Sequence, residues 1–403
     1  MIIHRPNEIK RIEGIKKWTL VYGRRKTGKS FLVENFVKYD EFFFVKKDRT
    51  IISKRDSGTI NYDTFLSILA RALEENKVVV VDEFQRLGDD FFDYLHSAKK
   101  TGRVILISST LFLSKKLFSS NSALLGLFAE IPVGLISAED CLVELKKLKL
   151  GKKQMLEAAI LLGEPILIDF FEREKNARDI LAVALISMIR SVPALIGEIF
   201  VEEEREISAV YEGILRAVAS GKVVSGEISS YLFSRRLIKK DDPSVIQQYL
   251  NNLLSFGIIN RVKVFNKKRF VYKHVSPLAR LFYYADEKYN ISERVVEEKE
   301  MREVIGSIMP HIVEDSVRGL IAKKEGLIET VFEAGDYDVD GVLLRFKKPE
   351  IAVEVKWKDI RKEDIAKAEE SLERIQARRK VLFVQDKRGI KAGLEVMDVD
   401  DLC

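Results

Sequence analysis

Eight consecutive residues restrict this chain more than any other feature. Gly23-Arg24-Arg25-Lys26-Thr27-Gly28-Lys29-Ser30 matches G-x-x-x-x-G-K-[ST] at every fixed position. The strand-like run WTLVY (18–22) precedes it and the helix-like run SFLVENFVK follows. A strand that turns at once into a helix needs glycines at the bend. Without a Cβ in the way, the backbone curls until its N–H groups face a common point, and the helix N-terminus adds partial positive charge there. Gly23 to Ser30 are therefore expected to cradle the phosphates of ATP. Lys29 would reach the β- and γ-phosphates, and the Ser30 hydroxyl is placed to ligate Mg²⁺.

Such a loop needs a carboxylate partner, and VVVVDEF (78–84) offers one. Its apolar run ends in Asp82 and Glu83, at the carboxyl end where open parallel sheets bind ligands. Asp82 would hold Mg²⁺ through water, and Glu83 would orient or deprotonate the attacking water. The runs WTLVY, FFFV (42–45), VVVVDEF and VILISS (104–109) are short and almost wholly apolar, as parallel strands covered on both faces are. Helical candidates, Ser30–Lys38 and Tyr62–Asn76, lie between them. The expected fold is α/β, a doubly wound P-loop sheet. VILISST is expected beside the Asp-Glu strand, with Ser109 or Thr110 at its tip either sensing the γ-phosphate or capping a turn.

Composition removes other classes. No apolar run reaches the roughly 18 residues of a membrane span, and MIIHRPNEIK lacks the pattern of a secretory signal. Two cysteines, Cys141 and Cys403, and four scattered histidines give no disulfide framework and no zinc cluster. A cytoplasmic protein without membrane association is the expectation.

Charge is uneven. Residues 205–275 hold 13 Lys and Arg against 5 Asp and Glu, about +8, whereas the whole chain is +6. The same stretch reads as three helices, ISAVYEGILRAVAS, GEISSYLF and PSVIQQYLNNLLSFG. Two strands then flank Asn266-Lys267-Lys268, the order of a winged helix-turn-helix. Its third helix would offer Gln247, Gln248, Asn251 and Asn252 to base edges. Lys267, Lys268 and Arg269 would meet phosphate from the wing. Duplex DNA is the expected partner, with docking of a protein or a second copy as the alternative.

With these motifs in order, the chain resembles the archaeal ATPase family of the AAA+/STAND group. The opening His-Arg5-Pro-Asn7-Glu8 is similar to that family's start. The P-loop, VVVVDEF and ISST follow in its order, and YKHVSPLARLFYYADEKYN (272–290) is similar to its passage out of the winged helix. The family commonly carries a Gly-Arg pair after the sensor strand. Here Ser122-Ala-Leu-Leu-Gly126-Leu127 lacks the arginine, and Arg103 or a neighbouring subunit would have to replace it. An arginine finger is worth about 10³–10⁵ in rate.

The resemblance implies a C-terminal domain similar to the restriction-endonuclease-like, PD-(D/E)xK fold. The residues that would carry it are Glu314 on a helix, Asp340 in DYDVDGVLL, and Glu354 and Lys356 in IAVEVKW. In a strand Glu354 and Lys356 share one face, and Val353, Val355 and Trp357 share the other. A strand over 337–344 would bring Asp340 beside Glu354. Asp340 and Glu354 would bind Mg²⁺ and Lys356 would position water or offset phosphate charge. The alternative is a strand with solvated Glu and Lys.

The expected organisation is a P-loop core over 1–136, a helical lid over 137–204, a winged helix over 205–290 and the nuclease-like domain over 291–403. The expected function couples Mg–ATP binding and hydrolysis to DNA binding or processing. The alternative is a nucleotide-dependent signalling switch whose winged helix and C-terminal domain bind proteins.

Overall fold

The structure, a computed structural model, describes residues 1–55, 57–109, 126–202, 207–333, 337 and 339–402. It divides into two compact units, Arg5–Leu135 with Gly197–Glu206, and Ile136–Ile196 with Met1–His4 and Ile207–Cys403.

The first unit is organised by a seven-stranded sheet. Its strands are β1 (Thr19–Tyr22), β2 (Glu41–Val45), β3 (Ile51–Ser53), β4 (Gly58–Ile60), β5 (Val78–Asp82), β6 (Arg103–Ser108) and β7 (Ala129–Pro132), in the spatial order β4-β3-β2-β5-β6-β1-β7. The five strands from β2 to β7 in that order are parallel; β3 and β4 continue the edge as an antiparallel pair. Burial on both faces explains the unbroken valines of β5. Val79 and Val81 enter the cluster with Trp18, Leu20, Phe43, Phe65 and Leu106, whereas Val80 enters the opposite cluster with Val21, Val33, Phe42 and Ile105. Each fully buried side chain of this size contributes about 1.5–3 kcal/mol. The helix Tyr62–Glu74 covers one face with Phe65, Leu69, Ala72 and Leu73, and Asn61 caps it by accepting from the Thr64 amide at 2.8 Å.

Register places the site. Asp82 pairs with Ile107, Ile107 with Val21, and Ser108 with Tyr22. The carboxyl ends of β5, β6 and β1 therefore lie level, and Gly23 emerges at the end that carries Asp82, with β6 between them.

The second unit holds the helices Ala138–Lys146, Lys152–Leu161 and Ala177–Ser187, then Ala209–Ala219, Ser225–Ser234 and Pro243–Ser255. The antiparallel hairpin of β8 (Ile259–Val264) and β9 (Phe270–His274) follows, with its turn at Asn266 in the left-handed region, φ 55°. Beyond the helix Pro277–Tyr289 runs the 28-residue helix Glu298–Glu325. The short β10 (Thr330–Val331) joins β8 in parallel. A second sheet contains β11 (Gly341–Arg345), β12 (Lys348–Lys356), β13 (Arg379–Val384) and β14 (Glu395–Met397) in that order. The helix Lys152–Leu161 is tied to the end of β12, because buried Glu157 accepts from Trp357 Nε1 at 2.9 Å and receives Arg178 through both oxygens. No single helix among the described residues is long and apolar enough to cross a membrane; Ala177–Ser187 and Ser191–Val201 pass that test only together, across a 67° bend.

Candidate functional site

Gly23 leaves β1 with φ 153°, and a Cβ there would lie 2.1 Å from the Val133 carbonyl oxygen. Only glycine meets both demands. Thr27 Oγ1 donates to the Arg24 carbonyl at 2.9 Å and to the Val133 carbonyl at 3.2 Å, so the segment after β7 braces the loop. Lys26 is exposed and left-handed, Arg24 and Arg25 are half-buried, and Gly28, φ 82°, caps the helix Lys29–Phe36. Lys29 is buried, and its ammonium donates to the Gly23 and Arg24 carbonyls at 2.8 Å each.

Asp82 is buried at the end of β5. It accepts from the Ser30 hydroxyl and, at 2.9 Å, from the Glu83 amide. Burial pushes its pKa up to about 6, with the Glu83 charge adding and the two hydrogen bonds and Lys29 opposing. The donor set fits Mg²⁺: a hydroxyl and a carboxylate already in contact, in a place where a buried carboxylate gains from a cation. Glu83 adopts φ 57° and swings its side chain away from β5. Its Oε2 meets Arg86 at 2.8 Å and Gln85 Nε2 at 2.9 Å, and Gln85 also donates to Ser109 Oγ at 3.3 Å.

One sequence expectation changes here. Arg103 opens β6, four residues from the level of Asp82 and so about 13 Å along the strand. There it donates to Ile12 O and Thr19 Oγ1 and cannot serve as the missing arginine. Leu127 packs on the core cluster with Trp18 and Phe128; Thr110 and 122–125 lie outside the described residues. Arg5, quoted only as part of an opening pattern, is 3% exposed and holds the loop, donating to Thr27 O at 3.0 Å and Gly134 O at 3.1 Å while pairing with Glu8 at 2.8 Å. A basic residue directly before a helix-starting proline was the available signal.

Glu314, Asp340, Glu354 and Lys356 line one cavity of about 760 Å³ in the second unit. The expected strand over 337–344 begins at Gly341, so Asp340 sits just before it. The Asp340 amide donates to Val353 O at 3.1 Å and its Oδ2 accepts from the Val355 amide at 2.6 Å, which continues the ladder by a side chain. Val353, Val355 and Trp357 pack as expected, but Glu354 is also buried, at 2% exposure, and Lys356 Nζ bonds to its Oε1. A solvated Glu and Lys is thus not what β12 carries. Burial, then the charges of Glu354 and Glu314, raises the pKa of Asp340. Among the described residues no three His, Cys, Asp or Glu stand close enough to hold a metal. Two buried carboxylates still fit Mg²⁺, which takes one or two and completes its shell with water and phosphate. Beneath them Asp315 gathers Lys273, Arg280 at 2.8 Å and Arg318 at 2.7 Å. Arg318 also donates to the Asp340 carbonyl at 3.1 Å.

The basic stretch is reordered as well. Gln247, Gln248 and Asn251 are exposed on the helix Pro243–Ser255. Asn252 is buried and donates to Tyr211 OH at 2.6 Å, so it is a core residue and not a base reader. Lys267 and Arg269 both pair with Glu333, and of the three expected phosphate contacts in the wing Lys268 alone makes no ion pair among the described residues.

Among solved structures, the chain is similar to ORC2 of Aeropyrum pernix in ADPNP–ADP complexes, at 13% identity and TM-score 0.41, over 79% of this chain and 95% of that one. It is also similar to ORC1 of Aeropyrum pernix in complex with DNA, at 13% identity and TM-score 0.31, over 73% and 95%. Cdc6p from Pyrobaculum aerophilum matches at 16% identity and TM-score 0.27, over 73% and 95%. No curated protein matches the chain. Residues 15–139, the stretch that holds the P-loop, Asp82 and Glu83, match the family of the AAA domain.

Proposed function

We propose that this chain is an ATPase that couples the binding and hydrolysis of Mg–ATP to the binding and processing of DNA. The observation that carries the reading is the meeting of Lys29, Ser30, Asp82 and Glu83 at the level carboxyl ends of β1 and β5. Ser30 and Asp82 would hold Mg²⁺, which offsets phosphate charge. Lys29 exchanges two loop carbonyls for phosphate oxygens. Glu83 takes the proton of the attacking water once Arg86 and Gln85 release it. Hydrolysis with and without duplex DNA tests this. Glu83→Gln should lower turnover by about 10²–10⁴ while nucleotide affinity stays, and an unchanged rate would remove Glu83 from its role.

Processing is assigned to the cavity in the second unit. Asp340 and Glu354 would hold a second Mg²⁺, which supplies a polarised phosphate and an activated water. Lys356 positions that water. The attacking water gives a proton to solvent as its oxygen bonds to phosphorus, one P–O ester bond breaks, and the departing oxygen takes a proton from solvent. The three helices and hairpin over 209–274 act as a winged helix that meets DNA through Gln247, Gln248 and Asn251. Cleavage that is lost in Glu354→Ala supports this part.

The pairing of Lys267 and Arg269 with Glu333 favours a second reading, a nucleotide-dependent switch whose winged helix docks on protein. ATP-dependent assembly without DNA affinity would select it.

A further inference from the structure

We infer that the tip of the β11–β12 hairpin, Arg345-Phe346-Lys347-Lys348, is a wedge for duplex DNA: the Phe346 ring enters an opened base step and the lysines meet the phosphates beside it. This rests on the DNA binding proposed above and adds a contact outside both acidic sites. Phe346 is 92% exposed, and Arg345, Lys347 and Lys348 are exposed with it. Arg345 pairs with Lys348 across the strands, so Phe346 and Lys347 form a two-residue turn, both left-handed at φ 47° and 70°. Such turns favour Asn-Gly, because positive φ crowds the Cβ of any bulky residue. Folding alone gains nothing from a phenylalanine here, which strains the turn and sets an aromatic ring in water.

The tip is braced from below. Ile328 and Leu344 exchange both backbone hydrogen bonds at 2.9 Å. The Arg345 guanidinium donates to the Glu325 carbonyl at 3.2 Å, at the end of the helix Glu298–Glu325. Pro349 follows the turn with its fixed φ. A ring on a turn held this way does not fold back to cover itself. The cations are not neutralised either. The carboxylates of the frame are taken, Glu325 by Arg379 at 3.0 Å and Glu350 by Arg378 at 3.2 Å. Arg345, Lys347 and Lys348 make no ion pair among the described residues.

An apolar side chain between free cations is the form in which proteins part base steps: the side chain enters the stack and the cations meet the flanking phosphates. An anionic membrane offers charge too, but a single myristoyl chain, with far more apolar surface than one ring, gives only marginal membrane binding. Position also favours nucleic acid. Lys348 and Glu354 are six residues apart on β12, about 20 Å. At about 3.4 Å per base pair that length covers about six pairs. One duplex can therefore reach both the tip and the acidic site at the other end of the strand.

Anisotropy of the full chain in Ca²⁺ with two labelled duplexes, one intact and one carrying a single unpaired base, tests the inference. The unpaired base opens a step beforehand, so the parent should bind that duplex more tightly. Phe346→Ala should weaken binding to it by about 5-fold or more, the low end for one stacked base, and erase the preference. Phe346→Trp, which keeps an aromatic face, should retain it. Lys347→Ala with Lys348→Ala should lower the salt slope by about 2 on both duplexes and leave the preference in place. Phe346→Asn with Lys347→Gly suits the turn, so it should raise the melting temperature while the preference is lost, which separates misfolding from a lost contact. A parent without the preference, or a preference unchanged in Phe346→Ala, overturns the wedge and leaves DNA binding standing. Absence of DNA affinity in the parent removes both readings, and Phe346-dependent binding to phosphatidylserine vesicles in that case would make the tip a membrane contact.

Discussion

The two acidic sites use similar strand ends in opposite ways. Asp82 ends β5 and Glu354 stands near the end of β12, and both are buried. At Asp82 the opposing charge and the hydroxyl come from one contiguous loop, Lys29 and Ser30. At Glu354 the companions come from three places in the chain, with Asp340 before β11, Glu314 on a long helix and Lys356 next along the strand. The first site is made by backbone shape and survives as a motif. The second is made by packing, and burial, then the charges of Glu354 and Glu314, raises the pKa of Asp340. A local site can be read as a word, whereas a gathered site depends on the frame that gathers it.

The strongest test of that difference is to weaken the frame. Asp315 is 24% exposed and holds Lys273, Arg280 and Arg318, of which Arg318 is 3% exposed. Asp315→Asn leaves three cations facing one another and should destabilise the second unit by about 3–5 kcal/mol. Chemical denaturation should show this while the nucleotide affinity of the first unit is retained. Loss of ATP binding in this variant would mean the two sites are not independent.

Paired glycine substitutions sharpen the contrast. Gly23→Ala drives a Cβ into Val133 O and should abolish ATP binding. Gly341→Ala places a Cβ 2.3 Å from Arg318 Cδ and 2.6 Å from Thr330 O. It should cost about 1–3 kcal/mol of overpacking and impair the Asp340 site only. Activity assays on both variants at matched folded fractions separate the outcomes.

What could be read beforehand follows the same line. β1, β5 and β6 were legible because a strand covered on both faces must be apolar throughout. β12 was legible from its period of two. β7, AEIP, was missed because four residues with one charge and a proline carry no period, although Val133 beside it shapes the P-loop. Arg5, Glu333 and Asp315 were invisible as partners, since Thr27 and Gly134 for Arg5, Lys267 and Arg269 for Glu333, and Lys273 and Arg280 for Asp315 all lie more than 20 residues away. Asn252 was misread for the same reason: on a helix with Gln247, Gln248 and Asn251, nothing marks the one polar side chain that turns inward to Tyr211.

A pH experiment separates the units next. His274 lies in the second unit, its Nε2 held by the Leu215 carbonyl at 2.9 Å and its Nδ1 buried without a hydrogen-bond partner among the described residues. That bond makes Nε2 the donor. Burial pushes its pKa down to about 4. The unfolded ring titrates near 6.5, so below that pH the unfolded state takes up a proton that the folded state refuses. The contribution is full above pH 6.5 and is lost as pH falls toward 4, by about 2 kcal/mol between pH 6.5 and 5. His274→Asn should flatten this part of the stability profile. An unchanged slope would place the acid sensitivity elsewhere.

The smallest effect decides how the basic segment meets DNA. Its wing and its inter-helix turn carry similar charge in different states. In the wing, Lys267 and Arg269 share Glu333. In the turn, Arg235 stacks on Tyr231 at 3.7 Å and pairs with Glu287, and Lys240 pairs with Asp242, but Arg236 and Lys239 make no ion pair among the described residues. Counterions gather on charges that the protein has not neutralised. Arg236→Ala and Lys239→Ala should each reduce the slope of log affinity against log salt by about 1. Lys267→Ala and Arg269→Ala should leave it almost unchanged, because Glu333 has already taken their charge. Glu333→Gln should then make the wing substitutions count. If the wing lysine matters as much as the turn in the parent chain, the docked wing is not the state that binds DNA, and release from Glu333 becomes a step in binding.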